Sequence, residues 1–353
     1  MTIENKRKKL KTDHIFRMTD DTGILHASKC GVPDLSMGYT SIDNARALIM
    51  AVKLFDQTHS KRVESLIYKY AAFLANAQAS DGTFRNLMGY NREFSEANGS
   101  EECFGRCLFA LSYTFANQNV PQSIKKTAKD MIDRALPHCL LLKSSRAMAY
   151  AIIGLSYLDL ENTNGYISKM TASLVNHYVH YKSGEWHWFE DRLSGCNAAM
   201  PWSLLAAFRV TKEARYLKIG LESLQFLESK TFTECRFKPI GMKGLSLQGD
   251  NAASLDEQTV EASEAISAYI EAFKITDNIE YIYKARTCFF WYLGRNSKNI
   301  SLLDNETGGC HDGIEGGGLN PNQGAESIIS FWLAYLEINK YLRSGKTVKG
   351  EIR

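Results

Sequence analysis

Apolar residues recur at helical spacing along almost the whole chain of 353 residues, and sustained alternation of apolar and polar residues is nearly absent. Only six prolines interrupt the pattern, and proline breaks helices. The spacing therefore predicts an all-α protein with eleven helices, which run approximately over 42–57, 61–79, 100–117, 121–142, 145–160, 164–182, 197–210, 213–229, 256–275, 278–294 and 322–342.

The connections between these helices alternate between short and long. Short connections close helical hairpins, whereas the long ones are rich in Gly, Asn, Asp and aromatic residues and lie at 80–100, 183–196, 230–255 and 295–321. Because antiparallel helices alternate in direction, every long loop and the start of every odd-numbered helix fall on one face. Long loops in a compact domain are usually functional, so we expect a site on this face.

The odd-numbered helices begin at intervals of 45 to 67 residues, which indicates a repeat of hairpins. This period is too irregular for a tetratricopeptide or HEAT solenoid, and the polar terminal caps of such arrays are missing. Six hairpins can instead close into a ring. We therefore predict a single (α/α)6 toroid over residues 1–353, with the odd-numbered helices inside and residues 1–15 as a flexible tail. The twelfth helix should come from the first 40 residues or from a bent end of the last segment.

Charge and targeting signals restrict the function further. The 42 Lys and Arg nearly balance the 39 Asp and Glu, and a formal charge of +3 argues against a nucleic-acid partner. No stretch reaches the roughly 18 to 20 apolar residues that span a bilayer, and no apolar segment follows the charged N-terminus as in a secretory signal. The eight cysteines form no CxxC pair, which favours reduced thiols. We predict a cytoplasmic protein without a membrane partner.

Polar side chains gather at the starts of all six predicted inner helices. An acidic residue there is often only a cap, but Arg46, Arg106 and Arg146 occupy early positions where the helix dipole disfavours a cation. Aromatic rings mixed with carboxylates, amides and guanidinium groups are typical of a sugar-binding cleft. We predict that an oligosaccharide or glycan substrate contacts Tyr39, Asn44, Arg46, Arg106, Arg146, Trp186, His187, Trp188, Glu190, Asn197, Gln258, Glu261, His311, Asp312, Asn322, Gln323 and Glu326. The alternative is that Trp186 and Trp188 only plug the end of the ring.

Glycoside hydrolysis requires two carboxyl groups that flank the scissile bond, one protonated and one ionised. The candidates for this pair are Asp43, Glu101, Asp256 and Glu257. Neighbours on a helix point about 100° apart, so one member of Glu101/Glu102 and one of Asp256/Glu257 must turn away from the centre.

No metal site and no cofactor is predicted. His177 and His180 are spaced i, i+3 without a third ligand nearby, which favours a surface helix over a metal site. The glycine-rich segment Gly308–Gly318 follows a helix rather than a strand, which favours a shaped loop over a phosphate cradle.

Seven segments, taken in order, resemble the bacterial (α/α)6 six-hairpin glycosidase-like proteins, among them glycosidase-related and glycosyltransferase-associated proteins. These segments are TDDTGILHA, GYTSIDNARAL, GSEECFGRCLFAL, SSRAMAYAIIGL, WHWFEDRLSGCNAAMPWSLLAA, DEQTVEASEAISAY and TGGCHDGIEGGGLNPNQGAES. The resemblance covers nearly the whole chain after about residue 15 and implies a toroid, carbohydrate metabolism and a link to mannose-containing glycans. The chain departs from the family pattern at three positions. Ile42 stands where a second acid before Asn44 is usual, Glu102 stands where Asp is usual, and Cys196 stands where Tyr is usual.

Three functional hypotheses follow. The leading one is a glycoside hydrolase acting on a short oligosaccharide, with Asp256 or Glu257 paired with Asp43 or Glu101. A sugar epimerase or isomerase needs histidines as proton shuttles, and it ranks lower because only His187 and His311 are expected on the functional face. The third is a non-catalytic glycan-binding or accessory protein for a partner glycosyltransferase or phosphorylase, with Trp188 as a binding residue.

Overall fold

The computed structural model describes residues 10–160, 162–233, 236–241, 245–246 and 256–343. Twelve α-helices dominate these ranges, and none of them is long and apolar enough to cross a membrane. The helices are α1 (Asp13–Met18), α2 (Ser41–Thr58), α3 (Lys61–Ala77), α4 (Glu101–Ala116), α5 (Gln122–Ala135), α6 (Ser145–Leu155), α7 (Thr163–Tyr181), α8 (Ala199–Thr211), α9 (Ala214–Thr231), α10 (Thr259–Thr276), α11 (Glu280–Tyr292) and α12 (Ala325–Arg343).

The helices form two concentric rings. In the inner ring α2, α4, α6, α8, α10 and α12 each pack against two inner neighbours, and α12 closes the circuit on α2. In the outer ring α3, α5, α7, α9 and α11 pack against the inner helix that precedes each of them, and α1 packs against α12. The predicted (α/α)6 toroid is therefore confirmed. Its inner helices are those predicted as odd-numbered, since α1 shifts the count by one.

The short helix α1 supplies the twelfth member of the toroid. Ile15 and Met18 are fully buried, and the imidazole Nε2 of His14 lies 2.8 Å from the carbonyl oxygen of Gln323, next to the start of α12. The N-terminal segment thus completes the ring, as one of the two sequence-based options proposed. Residues 13–15 belong to this packed helix rather than to the tail predicted over 1–15, and residues 1–9 lie outside the described residues.

Several helix boundaries differ from the prediction for identifiable reasons. The helix predicted to reach residue 142 ends at Ala135, because Pro137 opens a 3-10 turn over Leu136–Leu141. The helix predicted to begin at residue 256 begins at Thr259, because Glu257–Gln258 pairs as a short strand with Gly313–Ile314. Helix α12 begins at Ala325 rather than at residue 322. Most of the long loop predicted over 230–255 lies outside the described residues.

Capping side chains fix where three of the inner helices begin. Thr40, Ser100 and Ser144 accept hydrogen bonds from the backbone N–H groups of Asp43, Cys103 and Ala147, which are otherwise free in the first turn. These caps lie on the loop-rich face, so the inner helices present their N-termini there.

Two glycines allow α4 and α6 to approach until their backbones touch. A Cβ atom added at Gly105 would lie 2.5 Å from the carbonyl oxygen of Ala147, and one added at Gly154 would lie 2.5 Å from the Cα of Phe109. Only glycine fits at such distances, so this contact fixes the spacing between the two helices.

We expect Gly154→Ala to destabilise the fold, because the new methyl group must push α4 and α6 apart. Overpacking of this kind costs about 1–3 kcal/mol. The matched control is Gly165→Ala in α7, where an added Cβ meets nothing within 4 Å. That change should raise the free energy of unfolding by about 0.5–1 kcal/mol, as for other exposed helical glycines. Urea denaturation of both variants measures the difference, and equal effects at the two positions would contradict the close approach.

Candidate functional site

The inner ring encloses a cavity with about 550 Å³ of empty space, part of it open to solvent. Its walls combine aromatic rings from Phe109, Tyr157 and Trp202 with charged and hydroxyl groups. An ion pair between Lys53 and Glu337 lies at the deep end. Burial alone would raise the pKa of Glu337, but Lys53 and other nearby lysines lower it to about 2, so both partners stay charged.

Four polar side chains line the cavity at one depth. Arg46, Arg106, Tyr150 and Glu264 are each the sixth residue of their inner helix, α2, α4, α6 and α10 respectively. Helices that start on the same face and rise 1.5 Å per residue bring equal positions to a similar depth. The sixth residue of α12, Ser330, joins this polar layer by accepting a hydrogen bond from Arg46 Nη2 at 2.6 Å.

The guanidinium group of Arg106 is the centre of the polar layer. Its Nε donates to Glu102 Oε1 at 2.9 Å, and its Nη2 donates to the Tyr150 hydroxyl at 2.6 Å and lies 3.4 Å from Glu264 Oε1. The guanidinium carbon lies 4.0 Å from the centre of the Tyr150 ring, and the Tyr150 hydroxyl donates to Glu264 Oε1 at 2.6 Å. Arg106 is only 5% exposed, so its charge depends on these partners.

Two buried polar atoms in the same cavity have no hydrogen-bond partner among the described residues. One is Arg46 Nη1, a donor, whose nearest charged neighbour is Glu326 at 3.7 Å. The other is Glu264 Oε2, an acceptor. Arg46 is 5% and Glu264 6% exposed. Buried polar groups are nearly always satisfied by protein or by ordered water, so these two atoms are positions in the wall at which a water molecule or a polar ligand group would complete the hydrogen bonding.

A histidine–aspartate pair lies at the rim beside α2 and α12. His26 Nδ1 lies 2.7 Å from Asp43 Oδ2, and the Thr40 hydroxyl donates to the same oxygen at 2.7 Å. A carboxylate can only accept, so Nδ1 carries the proton and Nε2 is the basic nitrogen of neutral His26. Asp43 is buried, whereas 42% of the His26 side chain is exposed. The hydrogen bond to Asp43 raises the pKa of His26 above its usual 6.5, against the opposing effect of burial.

Glu326, in the first turn of α12, carries the carboxylate beside Arg46 at this rim. Burial raises the pKa of Glu326, and Asp43 raises it further, while Arg46 opposes both effects. His26 lies beside the same helix end, because its carbonyl oxygen accepts a hydrogen bond from the backbone N–H of Ala325. The rim therefore holds two titratable groups: Glu326, which lies 3.7 Å from the cavity residue Arg46, and His26, which lies within electrostatic range of Glu326.

Glu261 joins α10 to the start of α8. Its carboxylate accepts hydrogen bonds from the backbone N–H groups of Cys196 and Asn197 and from the Asn197 side chain. Burial and the neighbouring Glu264 raise the pKa of Glu261 to about 7, although these hydrogen bonds lower it. Since all its contacts are donors to the carboxylate, Glu261 positions the loop that carries Cys196.

Three of the predicted catalytic carboxylates lie away from the cavity wall. Glu101 accepts from the backbone N–H groups of Lys143 and Ser144, at 2.8 and 2.7 Å, so Glu102 is the member of the pair that faces Arg106. The Glu257 carboxylate is buried and accepts from the Trp291 indole at 2.5 Å. Asp256 accepts from Gln258 at 2.5 Å. Among the four candidates, only Asp43 lies against a titratable group that is open to solvent.

The aromatic segment after α7 packs against the outer ring. Trp186 and Trp188 contact Phe226 of α9, with ring centroids 5.1 and 6.0 Å apart. The imidazole Nδ1 of His187 lies 2.8 Å from a carboxylate oxygen of Glu222, which also belongs to α9. These contacts fit the alternative in which the tryptophans serve packing.

The remaining predicted binding residues form hydrogen bonds with the loops and helix starts around the rim. Arg146 donates to both carboxylate oxygens of Glu190, at 2.8 and 2.6 Å, and to the carbonyl oxygen of Gly195. The hydrogen bonds of the others run to neighbouring rim groups; these residues are Tyr39 (to Asp20), Asn44 (to Ile24 and Thr40), Asn197 (to Glu261), Gln258 (to Asp256), His311 (to Asn320), Asp312 (to Gly324 and Ser327), Asn322 (to Cys30) and Gln323 (to Thr307 and Asp304).

Sequence reasoning missed His26, Tyr150 and Glu264. It also missed several other residues of the cavity wall and the polar layer: Lys53, Phe109, Tyr157, Trp202, Ser330 and Glu337. Glu264 lies one helical turn after Glu261, and Tyr150 lies one turn after Arg146, so helical spacing could have identified both. His26 belongs to an irregular segment, and no periodicity marks it. In the described ranges, no group of three or more His, Cys, Asp or Glu side chains could hold a metal ion.

Solved structures with the same architecture come from several sugar-processing proteins. A sugar epimerase from a ruminal bacterium superimposes with a TM-score of 0.73 at 12% identity, covering 95% of this chain and 97% of that one. A D-mannose isomerase gives 0.70 at 12% identity, with 93% and 94% covered. The GH76A α-1,6-mannanase from Salegentibacter sp. HEL1_6 gives 0.65 at 11% identity, with 93% and 96% covered.

No family model and no curated protein sequence matches the chain. At these identities the structural likeness establishes the fold. The expected resemblance to (α/α)6 six-hairpin glycosidase-like proteins is confirmed at that level.

We expect His26 to titrate above pH 6.5 and Asp43→Asn to lower its pKa, because the neutral amide no longer stabilises the imidazolium. NMR titration of the imidazole resonances measures both values. The backbone amide resonances of α7, which lies far from Asp43 in the outer ring, are the internal control and should be unchanged in Asp43→Asn. An unchanged His26 pKa in Asp43→Asn would show that the pair is not coupled in solution.

Proposed function

We propose that this protein is a carbohydrate-active enzyme that performs acid–base chemistry on a sugar bound in the ring cavity. The observation that carries this proposal is the unpartnered pair Arg46 Nη1 and Glu264 Oε2, a buried donor and a buried acceptor in one cavity. A sugar hydroxyl can accept from the first and donate to the second. Aromatic rings such as Trp202 line the same cavity and suit the apolar faces of a sugar ring.

The reaction that the site supports best is isomerisation or epimerisation beside the sugar's carbonyl carbon. Neutral His26 takes a proton from that carbon through Nε2, and the electron pair moves onto the carbonyl oxygen to give an enediolate. For an epimer, a second group donates a proton to the opposite face of the same carbon, and His26 later returns its proton to that group through solvent. For an isomer, His26 returns its proton to the former carbonyl carbon, while the proton of the neighbouring hydroxyl group passes to the former carbonyl oxygen and leaves a new carbonyl group. Asp43 stabilises the imidazolium formed in the first step. Glu326, with its raised pKa, is the second group at the rim that can donate a proton.

This proposal reverses the ranking that the sequence favoured. The isomerase hypothesis ranked lower because His187 and His311 were the only histidines expected at the site. His187 instead contacts α9, whereas His26 lies at the rim with a carboxylate partner.

Glycoside hydrolysis is the second candidate, on a short and mannose-containing oligosaccharide as the sequence suggested. The observation in its favour is the presence of two carboxyl groups, Glu264 in the polar layer and Glu326 at the rim, with different environments. A general acid and a general base need such a difference. A partner glycosyltransferase or phosphorylase stays a prediction from the sequence.

One experiment separates these reactions. The protein is incubated in D₂O with mannose, glucose, fructose and a panel of manno-, gluco- and galacto-oligosaccharides, with and without phosphate, and the products are followed by NMR and mass. We expect deuterium at the carbon beside the carbonyl group and a changed sugar without bond cleavage, since proton abstraction exchanges with solvent. New reducing ends would support the hydrolase instead. Saturable binding without any product would support the non-catalytic alternative.

We expect His26→Ala to lower kcat by about 10²–10⁴-fold, the usual contribution of a positioned acid–base group. The activity of the wild-type enzyme should rise with pH through the His26 pKa, because only the neutral imidazole is a base. Since Asp43→Asn lowers this pKa, its acidic limb should move to lower pH. His180→Ala is the matched control on the outer helix α7 and should keep full activity. Retained turnover in His26→Ala would remove this histidine from the mechanism.

A further inference from the structure

Every cation that lines the cavity already faces a carboxylate. Arg46 lies beside Glu326, and Lys53 is paired with Glu337. Arg106 contacts both Glu102 and Glu264. Within the described ranges, no cationic side chain of the cavity wall is left without an acidic neighbour. An anionic group on a substrate would therefore meet a carboxylate near each cation, and at Arg46, whose Nη1 makes no hydrogen bond to the described residues, that carboxylate is Glu326 at 3.7 Å.

In the part of the chain that the structure describes, the cavity wall carries three cations, Arg46, Lys53 and Arg106, and two carboxylates, Glu264 and Glu337. The position of each carboxylate, rather than an excess of one charge, therefore decides which ligand fits. In addition, Glu261 lies close enough to Glu264 for each to affect the other electrostatically. The carboxylate of Glu264 is the one that presents an unpartnered oxygen, Oε2, and only 6% of the residue is exposed. Its other oxygen is held by the Tyr150 hydroxyl, which fixes the orientation of the group.

We propose that Glu264 determines the charge specificity of the cavity, which accepts an uncharged sugar unit and rejects phosphorylated and carboxylated sugars. This inference rests on the proposed function, because it concerns the substrate of the same site. A hydroxyl group satisfies Glu264 Oε2 by donating a hydrogen bond to it. Near neutral pH a carboxylate is ionised and a phosphate monoester is mostly a dianion, so either group at that point brings a negative charge against a buried carboxylate.

The exclusion of anions should be large because the site is shielded from water. Like charges interact more strongly in a medium of low dielectric constant, and burial also limits screening by salt. Like-charge juxtaposition at a binding surface costs several kcal/mol, so we expect anionic sugars to bind at least ~100-fold more weakly than their uncharged counterparts. Selectivity of this kind arises from repulsion of the wrong ligand.

The test compares dissociation constants measured by titration calorimetry for D-mannose, D-glucose, their 6-phosphates and D-glucuronate. Wild-type protein should bind an uncharged hexose and discriminate strongly against the three anions. Glu264→Gln keeps the size of the side chain and removes its charge, so it should bring the two classes of ligand at least ~10-fold closer. The matched control is Glu228→Gln, which removes one charge from an ion pair with Lys284 between α9 and α11 and should leave the ratio unchanged.

The outcomes separate this proposal from the proposed function. If a sugar phosphate or the uronate binds as tightly as the uncharged hexoses, Glu264 does not exclude anions, although sugar binding itself stands. If the wild-type ratio is large but Glu264→Gln leaves it unchanged, the exclusion does not come from this residue. If none of these sugars binds, the proposed function fails as well. If Glu264→Gln does not fold, Glu326→Gln replaces it as the test. Because the Glu326 side chain is 44% exposed, its neutralisation should narrow the ratio of dissociation constants for anionic and uncharged sugars less than tenfold. A larger effect would assign the exclusion of anions to Glu326 instead of Glu264.

Discussion

The buried charge of Arg106 is the constraint on which the polar interior depends. A guanidinium group that is 5% exposed must be surrounded by acceptors, and Glu102, Tyr150 and Glu264 supply them from three different helices. Tyr150 reaches it because glycines let α4 and α6 touch, one of them Gly105, directly before Arg106 in the chain. The geometry of the cavity wall thus depends on the close packing of α4 and α6. A wider spacing between these helices would separate Arg106 from the Tyr150 hydroxyl group that accepts its hydrogen bond.

Much of this arrangement could be predicted because it follows from local rules. Helical periodicity and loop lengths indicated the ring, and the position of Arg46 and Arg106 early in their helices, against the helix dipole, indicated their use in a site. Asp43, Glu261 and Glu326 were also found, since each lies in the first turn of an inner helix. All these residues lie near the start of a helix, and capping residues such as Thr40, which can be recognised in the sequence, fix where the helix starts.

The errors arose where contacts between distant segments decide the outcome. Glu257 was predicted to lie in the first turn of a helix, but its pairing with Ile314 makes it part of a strand, and its carboxylate accepts a hydrogen bond from Trp291. Helix α1 has six residues, too few to show a periodic pattern, and packing against α12 stabilises it. His26 belongs to a segment of irregular structure, and its role depends on Asp43, which lies 17 residues later in the chain. None of these contacts leaves a short-range signal in the sequence.

The depth at which each group lies matches the task that we assign to it. Proton transfer needs groups that exchange protons with solvent, and His26 and Glu326 lie at the rim with more than two-fifths of each side chain exposed. Discrimination between ligands needs a site shielded from water, where an unmatched charge or hydrogen bond carries its full cost. Arg46 and Glu264 lie in such a place, because each is the sixth residue of its helix and lies about one turn deeper than Glu326, the second residue of α12. Because inner helices start on one face, the distance of a residue from its helix start determines both its exposure to water and the chemistry available to it.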